Sequence, residues 1–348
     1  MLPDPYLGCH MDSITQIALG AAVGEATLGN KIGRKAAIWG GILGTLPDLD
    51  ILSGLWLDSV DFLATHRSGS HSLIIATIVA PLIGFLLSKI YGTRTAKTSE
   101  WVLMVWLVGI THILLDLLTV YGTQIFWPLS RFPFSFDSVF IIDLLYTLPL
   151  IVGVLWALRL EQGSKKRFNV IAGALIISSL YLTWGMGAKA YVHSSFKQGF
   201  ASRGVLTQRL LTTPTPLNSI LWMGLGQQGD SIHVGLYSIL DSNPPAPITT
   251  VPRNTHLLEN HFKDRAVERL LWFSKGWYSV EEDSSGLIFS DLRFGRSDSW
   301  MEDDGEAVFR FKLIETSGRY ETFTNLPRQF ENPANVLRTV ARRAMGSE

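Results

Sequence analysis

The chain is poor in cysteine, poor in charge and without net charge, and each shortage removes a class of protein. Its single cysteine, Cys9, cannot close an internal disulfide. Charged residues make up 17% of the 348 residues, against about 25% in soluble domains, so few groups are left to solvate a surface. The 30 basic and 30 acidic side chains cancel, which excludes the basic footprint of a nucleic-acid binder; no nucleic acid is expected as a partner. An acidic disordered chain is excluded too, because 47% of the residues are hydrophobic and can be buried. No P-loop, dinucleotide glycine pattern, nucleophile elbow or internal repeat is visible. Leu7-Gly8-Cys9 follows Pro3, Asp4 and Pro5 where a cleaved leader would need an apolar stretch, so residues 1–10 read as an N-terminal extension.

The charge that is present is unevenly placed. Residues 1–190 hold 25 charged side chains and residues 191–348 hold 35. The first part carries segments close to the ~20 apolar residues a membrane span needs. The clearest are 72–88, 101–121, 139–158 and 168–188; weaker are 14–29, with Gln16 and Glu25, and 36–53, with Pro47, Asp48 and Asp50. The weaker pair holds Gly20 and Gly24, then Gly40 and Gly44, a spacing that lets helix backbones approach closely. Basic residues alternate loop by loop. Lys31, Arg34 and Lys35, then Lys89, Arg94 and Lys97, then Arg159, Lys165, Lys166 and Arg167 mark the odd connections, while the even ones hold only Arg67 and Arg131. By the positive-inside rule the odd connections are cytoplasmic. The fold class expected is mainly α: a polytopic bundle of about six helices over residues 11–190 in the plasma (inner) membrane. A smaller α+β extracytoplasmic domain follows over residues 191–348. In that second part, breaker clusters at 212–216 and 243–247 separate strand-like runs at 219–225, 232–239, 287–294 and 307–314. Helical spacing marks 257–273, and an amphipathic segment marks 336–345.

Ionisable residues in or beside the spans are costly in hydrocarbon and therefore functional candidates. They are Asp12, Gln16, Asp48, Asp50, His66, Arg67, His71, His112, Asp116 and Asp143. His112 and Asp116 are one helical turn apart and can hold one ion together, or form a buried hydrogen bond instead. Asp48 and Asp50 converge only if Pro47 makes the backbone irregular. His66 and His71 flank a Gly-Ser turn that can aim both imidazoles at one point, while Arg67 offers a fork for phosphate. The alternating topology gathers all of these in the external half of the membrane. Imidazole mixed with carboxylate suits zinc, manganese or iron, with zinc favoured where no thiolate appears; the set could serve one or two ions.

Four stretches, Asp12-Ser13-Ile14-Thr15-Gln16, Leu46-Pro47-Asp48-Leu49-Asp50, His66-Arg67 with His71-Ser72, and His112 through Asp116 with Thr119, resemble in order the motifs of the YdjM-like family. The resemblance covers about residues 11–160. It implies an inner-membrane protein regarded as a metal-dependent hydrolase, LexA-binding in one member, distantly similar to zinc-dependent phospholipase C and P1-type nucleases. Carried over by position, the implied ligands are Asp48, His71, His112 and Asp116, with Asp50 and His66 as additions. Gln16 departs from the pattern, since short members often have histidine there and an amide is a poor zinc ligand.

The function expected is a membrane metal-dependent hydrolase acting on a phosphoester or lipid-linked substrate at the external face. Asp50 or Asp143 would manage protons and Arg67 would hold the anion. Membrane lipids are the expected surroundings, and a protein partner could engage residues 191–348. The alternatives are a non-enzymatic membrane protein with a structural metal site, and an ion-relay transporter for which Glu25 is the one acidic candidate on the cytoplasmic side.

Overall fold

The computed structural model describes residues 13–284, 286–298, 305–327 and 333–346. Cys9, the extension 1–10 and Asp12 lie outside these described residues. The first described elements form a helical hairpin, α1 (Ser13–Ile32) and α2 (Arg34–Thr45), reversed at Gly33 with φ of 63°. The glycines set how close this hairpin packs. A Cβ on Gly20 would sit 2.3 Å from the Gly40 carbonyl oxygen, and one on Gly40 would sit 2.1 Å from that of Gly20. Only glycine permits such backbone contact.

Pro47 ends this regular start. It lacks the N–H that would continue α2 and opens instead a nine-residue 3-10 helix, Pro47–Leu55. The expected span at 36–53 is thereby divided, and α2, with 12 residues, reaches only about 18 Å. After α3 (Ser59–Thr65) and a 3-10 turn at Gly69–His71 come α4 (Leu73–Tyr91), α5 (Thr98–Leu117), α6 (Leu144–Ala157) and α7 (Lys165–Ala201). Among the described residues three helices, α4, α5 and α7, are long and apolar enough to cross a membrane; α6 is apolar but shorter. Six crossings were expected from the apolar windows. The difference arises because α1 is diluted by glycine and polar residues, α2 is cut short by proline, and α6 starts only after its cap Asp143 and has 14 residues.

One end of the bundle is tied by charge. Arg167 grips Glu25 through two hydrogen bonds of 2.6 and 2.8 Å, both side chains buried, and Lys31 pairs with Glu100 at 2.6 Å. Glu25 is therefore fully engaged and offers no free carboxylate to an ion path. The site residues gather at the other end.

The boundary placed at residue 190 falls inside α7, which runs 37 residues. Its later part buries Phe196 and Phe200 against Trp222 and Tyr237. Two antiparallel four-stranded sheets follow. The first is β1 (Arg209–Pro214), β2 (Leu221–Gln228), β3 (Ser231–Ser238) and β4 (Thr249–Pro252). After α8 (Arg265–Ser274), the second is β5 (Tyr278–Asp283), β6 (Gly286–Arg296), β7 (Ala307–Thr316) and β8 (Arg319–Asn325), and α9 (Pro333–Ala344) closes the chain. Among the described residues the α+β expectation thus becomes a mainly antiparallel β region with α8, α9 and the end of α7. The four expected strand runs correspond to β2, β3, β6 and β7, which are the central strands of the two sheets. Both edge pairs lacked that apolar pattern. β1 ends at Pro214 within an expected breaker cluster, since an edge strand tolerates proline where a central one does not.

The second sheet and α8 pack on the site end of the bundle. Val60, Leu63, Val120 and Tyr121 share one core with Phe273, Phe294, Phe309 and Phe311. Buried Arg293 pairs with Asp291 at 2.6 Å and donates to the Val120 and Tyr121 carbonyls at 3.1 and 3.3 Å.

Gly40→Ala should lower stability in detergent by about 1–3 kcal/mol, because the hairpin must separate to admit the methyl group. Gly187→Ala, where a Cβ would meet nothing within 4 Å, should leave stability equal or higher. Thermal unfolding of the two variants checks the pair.

Candidate metal centre

Each ligand-type residue is placed by a local feature of its own segment. Asp48 is the second residue of the 3-10 helix that Pro47 begins. His112 and Asp116 stand one turn apart near the end of α5. His71 closes the 3-10 turn immediately before Ser72, whose hydroxyl caps α4 by accepting from the Ile74 and Ile75 amides and donates to the Trp127 carbonyl at 2.6 Å. Three segments remote in sequence thus bring Asp48, His71, His112 and Asp116 together, with one ligand atom from each lying within 4.8 Å of the others. Such a group is able to hold a metal ion.

Hydrogen bonding fixes what these atoms can offer. His112 Nδ1 lies 2.7 Å from the Gly44 carbonyl, which can only accept, so Nδ1 carries the proton and Nε2 presents a lone pair. Ser70 Oγ donates to Asp50 Oδ2 at 2.7 Å and lies 2.9 Å from His71 Nδ1. With its proton committed to Asp50, the hydroxyl accepts from Nδ1, and His71 Nε2 also faces the cluster. The two Nε2 atoms are 3.2 Å apart. Asp116 Oδ2 is 3.0 Å from His71 Nε2 and 3.6 Å from His112 Nε2; Asp48 Oδ1 is 3.3 and 3.5 Å from the same two atoms. Both oxygens of Asp48 and Oδ2 of Asp116 are buried without a hydrogen-bond partner. Acceptors gathered this closely in a buried place require a cation among them.

A proton meets part of that requirement. Burial disfavours a charged His71, but Asp116, Asp48 and Asp50 more than offset it and hold its proton affinity well above the ordinary imidazole range. One proton on His71 Nε2 can serve Asp116, yet it leaves Asp48 and His112 Nε2 unsatisfied. A metal ion would satisfy all four, so the residues present fit such a group.

Around the tetrad stands a second layer. Gln16 donates to Asp116 Oδ1 at 2.8 Å, so the amide orients a ligand rather than acting as one. Asp50 lies outside the tetrad: its carboxylate binds His66 Nδ1 at 2.7 Å, the Arg67 amide at 2.9 Å and Ser70 Oγ. Burial pushes Asp50 up, but His66 and His71 outweigh it and keep the carboxyl below the usual range. His66 stands beside the tetrad, its ring stacked on Phe62 and set edge-on to Tyr121 and His71. The two acidic residues of the proline motif, two apart on a 3-10 helix, flank opposite sides of one imidazole: Asp48 Oδ1 is 3.3 Å from His71 Nε2 and Asp50 Oδ2 is 3.5 Å from Nδ1. Asp143 caps α6, accepting from the Leu145 and Tyr146 amides, and takes a hydrogen bond of 2.7 Å from Tyr181. It faces Asp116 and Gln16 across a cavity of about 20 Å³.

Arg67 is buried and backs onto the cluster. Its Nε lies 3.6 Å from Asp116 Oδ2, Nη1 donates to Thr119 at 3.1 Å, and the guanidinium lies 4.5 Å from the Tyr121 ring centre. Nε and Nη2 have no hydrogen-bond partner. The backbone there has φ of 56°, a conformation that arginine adopts at a cost. Ser70 and the Gly44 carbonyl escaped sequence reasoning, since hydroxyls and carbonyls carry no pattern of their own.

Residues 11–192 match the family model described as YdjM inner membrane protein. No curated protein and no solved structure matches the chain.

Asp50→Ala removes the acceptor of three donors on the His66–His71 loop. Its expected cost is about 3 kcal/mol of stability, read as a lower unfolding midpoint in purified protein.

Proposed function

The chain belongs to the YdjM inner membrane protein family, and from that premise we propose a multi-pass membrane hydrolase acting on a phosphoester at the external face. A divalent cation would be held by Asp48, His71, His112 and Asp116. Mixed imidazole and carboxylate ligands without thiolate favour zinc, and a single tetrad favours one ion. Such an ion supplies an activated water and polarises a phosphoryl oxygen.

The observation that carries the reading is Arg67. A buried guanidinium whose Nη2 has no hydrogen-bond partner, and whose Nε faces Asp116 at 3.6 Å, stands beside an anionic ligand cluster, which is a pairing suited to gripping a phosphate while the ester is cleaved next to it. Asp50 acts as a positioning residue, fixing His71 through Ser70. Asp48, whose side chain is 16% exposed while the other three ligands are sealed, lies nearest the surface, although both its oxygens are covered. Orientation rests on charge: Lys31, Arg34 and Arg167 lie at the bundle end opposite the tetrad, and clustered basic residues favour the cytosolic side. The tetrad and residues after α7 would then be external.

One observation favours a second reading. Four protein ligands already complete a tetrahedral set, as in structural zinc sites. The protein would then be a non-enzymatic membrane component whose β region engages a partner.

Purified protein is expected to carry about one zinc per chain, and His112→Ala or Asp116→Ala should lose it while inserting normally. Arg67→Met should keep the metal yet lower hydrolysis of bis-p-nitrophenyl phosphate by about 100-fold. Metal-loaded wild type without turnover would hand the case to the structural reading. Absence of bound metal in wild type would end both.

A further inference from the structure

The 3-10 helix that presents Asp48 has a second face. With three residues per turn, Leu46, Leu49, Leu52 and Leu55 fall on one edge, and all four are exposed, Leu55 to 70%, as is Trp56 beside them. A soluble surface would hide such a stripe; at a membrane it lies among lipid chains, with the tryptophan at headgroup level. Such an edge suits a helix that runs along the bilayer boundary.

Beside it is an apolar cavity of about 200 Å³ between α2, α4 and α5. Its walls include Leu46, Pro47, Ile75, Val79, Gly109 and Ile113. Three wall residues adjoin the tetrad in sequence: Pro47 precedes Asp48, Ser70 precedes His71, and Ile113 follows His112. Leu46 and Val79 are exposed, so the cavity meets the outer surface of the bundle. Apolar cavities of about 150 Å³ hold a benzene-sized molecule, and this one is larger.

We propose that the cavity receives the headgroup-proximal part of a hydrocarbon chain, so that the phosphoester acted on at the tetrad belongs to an anionic lipid entering from the bilayer beside the leucine edge. This rests on the phosphoester reading and narrows its substrate class. The occupant is a lipid chain because one cavity wall is built from the segments that carry the ligands, and the open side faces the surface where the leucines lie. A soluble phosphoester would leave this apolar space without a role.

The test uses full-length protein in phosphatidylcholine nanodiscs carrying a minor fraction of phosphatidic acid with a diazirine early in its acyl chain. Photolabelling should map to Ile75, Val79 or Ile113. Gly109→Leu, at a position where a Cβ comes no nearer than 3.8 Å to Ala76, should fill the cavity. Labelling should then fall about tenfold, equivalent to losing about two buried methylenes, while bis-p-nitrophenyl phosphate is cleaved as before. Label elsewhere, or equal label from a phosphatidylcholine probe, overturns the proposal. Turnover of the soluble ester without cavity labelling sinks the lipid site alone. Selective labelling without turnover of either ester keeps the lipid site and sinks the hydrolase.

Discussion

A knot of acceptors that cannot satisfy one another governs the site end of this protein. Two imidazole Nε2 atoms 3.2 Å apart face two carboxylates, three of whose oxygens are buried without a hydrogen bond. Leaving buried anions uncompensated costs several kcal/mol, so the fold is stable there only with positive charge among them. Arg67 and a proton on His71 supply part of it, and a metal ion would supply it fully. The arrangement resembles a site shaped for a cation more than a polar core that settles its own accounts.

Everything that holds the knot in place comes from elsewhere in the bundle. The glycine contact between α1 and α2 brings the Gly44 carbonyl within reach of His112 and the Gln16 amide within reach of Asp116. Asp50 does the corresponding service for the loop, binding its backbone and Ser70 so that His71 has one orientation. The β region adds a roof. Arg293 satisfies the Val120 and Tyr121 carbonyls, and Tyr121 in turn supports the Arg67 guanidinium. A chain of contacts thus runs from the second sheet to Arg67, giving the region after α7 a structural part in the centre.

The same segment serves two media. The 3-10 helix opened by Pro47 turns Asp48 toward the ligands and a row of leucines toward the outside. Three-residue periodicity makes this possible, because apolar residues at every third position leave the positions between them for chemistry. An α-helix with the same sequence would spread those leucines around its circumference.

The sequence alone determined the membrane character of the first part, the glycine hairpin and the central strands, and it marked Asp48, His71, His112 and Asp116 among six metal candidates. Each depends on local composition, short spacing or a motif that survives without coordinates. It also gathered Asp50, His66 and Asp143 with the ligands, because an aspartate or histidine reads the same whether it touches a metal or braces a neighbour. Only the tertiary structure separated them, sending Asp50 and His66 to the loop and Asp143 to the start of α6. It alone revealed the unpaired donors of Arg67, the lone pairs imposed by Ser70 and Gly44, and the reach of α7 into the β region. These are set by directions of bonds between residues distant in the chain, and direction is what a linear pattern does not carry.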